Sequence, residues 1–152
     1  MKDSNLVPRL AIVGDVAMEE ADPKMVLAKA APYLRQSGIA FCNCEWPLTD
    51  RGQPWPGKAG RVVRSHPSKI ETYTFAGFDA VGLANNHTMN YGPEGLLQTI
   101  ELLDAAGIVH CGGGADLGGK VSASKNLSIH LCALLGGVGG ARQQSQPAQG
   151  KG

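Results

Sequence analysis

Nowhere does the 152-residue sequence hold an apolar run long enough to cross a bilayer, and its first stretch, "MKDSNLVPRLAIVGD", lacks the apolar core of a signal peptide. As written, the chain reads as soluble and cytoplasmic, with no membrane segment. Charge of one sign is lacking too. Fourteen Lys and Arg against thirteen Asp and Glu leave a net charge of +1, which gives no field of the kind that draws a chain to nucleic acid or anionic lipid. Cysteine is sparse, with Cys42, Cys44, Cys111 and Cys132 alone. Without an export signal these read as reduced, buried thiols rather than two disulfides. Cys42 and Cys44 would share one face of a strand, but no second pair follows at the spacing of a zinc ribbon. No internal repeat is visible.

What the sequence does have is alternation of strand and helix. "RLAIVGD" is an apolar run closed by Gly-Asp. The segment "DPKMVLAKAAPYLRQSG" then offers Asp22 as a cap, Pro23 at a first helical position and Gly38 as a stop, with Pro32 kinking or shortening the helix. "IAFCN", "DAVGLAN" and "IVHCG" read as further buried strands, separated by a short helix in "HPSKIETYTFAG" and a longer one in "PEGLLQTIELLDAAG". In the longer one Leu96, Leu97, Ile100, Leu103 and Ala106 recur at spacings of three and four and form one apolar stripe. Strands apolar on both faces that alternate with helices predict an α/β fold with a mostly parallel sheet covered by helices.

One segment breaks the pattern of short connections. Residues 45 to 65, "EWPLTDRGQPWPGKAGRVVRS", show no clear element, although loops in compact domains run about four to six residues. Its two tryptophans argue for an ordered loop. Lys58, Arg61 and Arg64 could line an anion-binding lip or form a plain solvated basic face.

Ligands of open parallel sheets bind beyond the carboxyl ends of the strands, and here those ends are rich in polar groups. The first strand ends in Asp15, the second in Asn43 with Glu45 just after it, and the third in Asn85, Asn86 and His87. Taken singly, each suits a turn, a cap or a surface position. Taken together, two carboxylates, amide oxygens and an imidazole at one edge could hold one or two divalent metals, with the histidine in reach of a proton transfer.

"GDV" at 14 to 16, "NCEWPLTDRG" at 43 to 52 and "GFDAVGLANNHTMNYGPEGLLQTIELLDAAGI" at 77 to 108 together resemble the CapA family of poly-gamma-glutamate capsule biosynthesis proteins. That family shares the metallophosphatase fold of calcineurin-like phosphoesterases. The resemblance implies that Asp15 is a metal ligand, that Glu45 supplies a second carboxylate, and that Asn86 binds metal and substrate oxyanion. It implies His87 as the general acid, with Asn43 and Asn85 in supporting positions. A metal-dependent phosphoesterase acting on a small molecule or polymer with phosphate or carboxylate groups is the function it suggests.

After His87 the sequence offers His110 and His130 as further histidines, neither at a recognisable ligand position, and the motifs fade beyond about residue 116. The expectation is therefore an incomplete metallophosphatase-like fold in residues 1 to 118, a divergent and partly disordered tail in 119 to 152 from truncation or frameshift, and a metal site left unfinished. An inactive fragment or binding module is the alternative, with self-association through an exposed sheet. A phosphate-cradling loop in "GADLGGKV", residues 114 to 121, is a further alternative, although Val121 stands where such a loop needs a hydroxyl.

Overall fold

The computed structural model describes residues 9–19, 22–56 and 60–114. Lys58, Cys132, His130, the phosphate-loop candidate after Gly114 and the expected tail lie outside the described residues. Strand β1 spans Leu10–Val16, β2 Ile39–Cys44, β3 Ala80–Gly82 and β4 Val109–Cys111. All neighbours run parallel, in the order β1-β2-β3-β4. Helices α1 (Pro23–Leu27), α2 (Ala31–Gln36), α3 (Ile70–Ala76) and α4 (Gly92–Ala105) connect the strands, so the expected α/β architecture with a parallel sheet and flanking helices is present.

The helix expected over the first connection is two short ones. Pro32 lies in the opening turn of α2, where its missing N–H deprives the helix of no bond. Helix α3 ends where Gly77 takes the left-handed conformation, φ 83°, and returns its N–H to Tyr73 and Thr74. Alternation along β2 divides the core. Cys42 and Cys44 join Leu34, Tyr73, Ala76, Val81, Leu96 and Leu103 in one cluster, while Phe41 packs with Ala80, Val109 and Cys111 in another.

Strand β1 departs from the sequence expectation. Its run "LAIV" predicts burial on both faces, yet Leu10 is 48% and Ile12 52% exposed. Among the described residues β1 pairs with β2 alone, so an edge strand lacks the second neighbour that would cover it. Its register slips between Ile12 and Asp15, a bulge that re-aims the last residues of the strand.

Polar side chains of α4 hold residues 48 to 51 of the long loop. Gln98 Oε1 accepts from the Asp50 and Arg51 amides at 3.0 and 3.1 Å, and its Nε2 donates to Asp50 Oδ1 at 2.6 Å. That last contact draws the Asp50 carboxyl below its usual range. Thr99 Oγ1 accepts from the Leu48 amide at 3.0 Å. Gly52, with φ 76°, lies so close to the α4 start that a Cβ would stand 2.1 Å from the Tyr91 carbonyl oxygen.

Candidate functional site

The parallel register brings the sequence candidates into one row. Asp15 lies opposite Asn43, and Asn43 opposite Gly82, and side chains of partnered residues leave the sheet on the same face. Gly82 has no side chain to occupy its place in that row. Asn85, from the loop after β3, donates to Asn43 Oδ1 at 3.1 Å and to the Cys44 carbonyl at 2.8 Å.

Asn43 is the hub. Its Nδ2 donates to Asp15 Oδ1 at 2.8 Å and to Glu45 Oε2 at 2.7 Å, so the carboxylates of a β1 residue and of the residue that follows β2 converge on one amide nitrogen. The opposite oxygen of Glu45 faces His87, whose Nε2 stands 3.5 Å from Oε1. Asp15 is exposed, whereas Asn43, Glu45 and His87 are half-buried. Among the described residues, no three His, Cys, Asp or Glu side chains gather as a ready metal cage. The linkages run through asparagine instead.

Local turn chemistry fixes the histidine. Asn85 Oδ1 accepts from the amides of His87 and Thr88 at 2.8 and 3.0 Å, the side-chain-to-backbone pattern by which asparagine closes a turn. Thr88 adds a hydroxyl bond to the Leu83 carbonyl. Asn86 sits exposed between Asn85 and His87. The sequence reading made Asn85 a supporting residue, and in the structure it ties β2 to the histidine loop.

One contributor escaped that reading. Asn90 is fully buried, and its Nδ2 lies 3.1 Å from His87 Nδ1 and donates to the Val63 carbonyl at 3.0 Å. The signal available was its spacing, three residues after His87 in a turn. Nothing in the sequence shows that Val63 closes the other side.

Of the three basic candidates, Arg61 and Arg64 lie within the described residues. Arg61 pairs with Glu19 and has its guanidinium 5.6 Å from the centre of the Trp46 ring, and Arg64 stacks 4.4 Å over Tyr91. Both arginines are exposed, and Trp46 and Tyr91 belong to the two loops that carry Glu45 and His87.

The model of the family described as bacterial capsule synthesis protein PGA_cap matches residues 9–149. The chain belongs to this family. The match runs past residue 116, where the recognisable motifs fade. The chain is 26% identical over 115 residues to the capsule biosynthesis protein CapA of Bacillus anthracis, covering 69% of this chain and 28% of that protein. It is 33% identical over 79 residues to a probable polyglutamine synthesis accessory protein of Mycobacterium tuberculosis, covering 52% of this chain and 20% of the relative. It is also 30% identical over 112 residues to the uncharacterized protein y4uA of Sinorhizobium fredii, covering 69% and 24%. The chain thus spans about a quarter of the length of these relatives. The PGA_cap family belongs to the metallophosphatase-like superfamily, which generally uses divalent metals, and the four-stranded parallel sheet is consistent with part of that fold.

Proposed function

We propose that this capsule-synthesis family member carries a metal-dependent phosphoesterase-type site at Asp15, Glu45, Asn86 and His87, with Asn43 and Asn85 in support. The observation behind this reading is the convergence of Asp15 and Glu45 on one nitrogen, at 2.8 and 2.7 Å. Two carboxylates held that close repel each other, and an amide N–H offers little positive charge to offset the repulsion. Oxygen donors of this kind fit a hard divalent cation. Asp15 and Glu45 would hold it, joined by the amide oxygen of Asn86. When bound, such a cation neutralises charge that develops on a phosphoryl oxygen.

The chain's own residues supply the rest. Asn43 keeps the two carboxylates aimed at a common point, and Asn85 keeps Asn43 and the histidine backbone in place. His87 presents Nε2 beside Glu45, where it can give a proton to a leaving oxygen. Arg61 and Arg64 at the rim suit the phosphate or carboxylate groups of a small-molecule or polymer substrate. Poly-gamma-glutamate capsule synthesis is the setting in which we place this chemistry, in line with the names of the relatives. A second copy of the chain, docked on the exposed β1 face, is the partner this reading includes.

Calorimetric titration with Mn²⁺ and hydrolysis of an activated phosphodiester test the site together. The expected result is that the wild-type chain binds Mn²⁺, that Asp15→Asn and Glu45→Gln each weaken binding by about tenfold or more, and that His87→Ala keeps the metal but loses hydrolysis. Equal binding by wild type and both carboxylate variants would overturn the proposal.

A further inference from the structure

We propose that Asn90 is a positioning residue that fixes which nitrogen of His87 carries the proton. This inference rests on the reading of His87 as the group that serves the site. Asn90 is 0% exposed, and its side-chain nitrogen has a partner for each of its two hydrogens: the Val63 carbonyl at 3.0 Å and His87 Nδ1 at 3.1 Å. The Val63 oxygen can only accept, so it holds the amide with its nitrogen inward. Turning the amide over would bring Oδ1 against that carbonyl and oppose two acceptors.

With Asn90 donating, His87 Nδ1 must accept, and in the neutral ring the proton is then on Nε2. Nε2 is the nitrogen that faces Glu45, at 3.5 Å. The backbone of Asn90 reinforces the placement, since its N–H donates to the His87 carbonyl at 2.9 Å and its carbonyl accepts from the Trp55 amide at 2.8 Å. The arrangement leaves Asn90 Oδ1 buried without a hydrogen-bond partner among the described residues. Buried amide oxygens are seldom left so, and here the two donor bonds take precedence over the acceptor. His87 therefore meets the site as an N–H donor at Nε2, and Nδ1 is turned away from any ligand.

Nuclear magnetic resonance of the full chain with ¹⁵N-labelled histidine and asparagine, at a pH where the imidazole is neutral, tests this directly. The expected result is a protonated Nε2, a bare Nδ1, and a scalar coupling across the hydrogen bond from Asn90 Nδ2 to His87 Nδ1. In Asn90→Asp, whose carboxylate can only accept, the tautomer should swap so that Nδ1 carries the proton, while His66 and His110 keep their signals. A wild-type ring protonated at Nδ1, or a folded Asn90→Asp chain with the wild-type tautomer, would overturn the inference. Should that variant fail to fold, the wild-type coupling decides: present it supports the assignment, absent it refutes it. The readout needs neither metal nor activity, so a chain that binds no Mn²⁺ but shows the coupling separates failure of the functional reading from failure of this one.

Discussion

Tyr73 stands directly behind the site, where its buried hydroxyl donates to the Val16 carbonyl at 3.1 Å and lies 3.3 Å from the Cys44 sulfur. Burial pushes the Cys44 thiol up to about 11, the bond from Tyr73 opposes that rise, and the nearby Glu45 carboxylate adds to it. Burial raises Cys42 and Tyr73 as well. The folded chain therefore keeps protons that the unfolded chain releases. Stability is full below the usual thiol value of 9.0 and falls as pH rises from there toward 11. Urea unfolding at a series of pH values should show the midpoint dropping across that window, with a shallower drop in Cys44→Ala. An unchanged slope in the variant would remove Cys44 as the cause. At this scale the candidates Asp15, Glu45 and His87 are legible in the sequence, because polar side chains stand out where an apolar run gives out. Asn90 is not, because its meaning depends on the Val63 carbonyl, a backbone group of another loop.

Among the elements, the long loop and α4 behave as one unit. Read as a sequence, α4 is an apolar stripe; Leu96 and Leu103 of that stripe are buried and Ile100 and Ala106 half-buried, but Leu97, at its margin, is 39% exposed. The same helix also carries Gln98 and Thr99, which are buried and turned to the loop backbone. Replacing Gln98 with Leu would leave the Asp50 and Arg51 amides without that acceptor, at a cost of about 2 kcal/mol. Hydrogen exchange should then speed up at residues 49 to 52 while the α4 interior stays protected. Equal loss of protection in both places would mean that the helix, not the loop, depends on Gln98. Turn chemistry hid this contact from the sequence, since a glutamine on a helix is ordinarily a solvated residue.

For the molecule as a whole, β1 is the exposed margin. Leu10, Ile12 and Val13 are 48%, 52% and 38% exposed on a strand that among the described residues pairs with β2 alone, a combination that invites pairing with another chain. Light scattering after size exclusion should show mass rising with concentration in the wild-type chain, and Ile12→Lys should hold it at the monomer. A wild-type chain that stays monomeric up to high concentration would sink self-association. Among the described residues, no helix is long and apolar enough to cross a membrane. The alternation of strand and helix, most of the apolar stripe of α4 and the polar residues at the strand ends are legible in neighbouring residues and their periodicity. Tertiary packing alone makes Asp15 and Glu45 share the Asn43 amide, ties Asn85 to Asn43 and sets Asn90 against both Val63 and His87. The contacts that fix this arrangement cross the chain, with Asp15 and Asn85 meeting Asn43 from 28 and 42 residues away and Val63 meeting Asn90 from 27, and strand register with loop packing, which no local pattern encodes, brings them within hydrogen-bond reach.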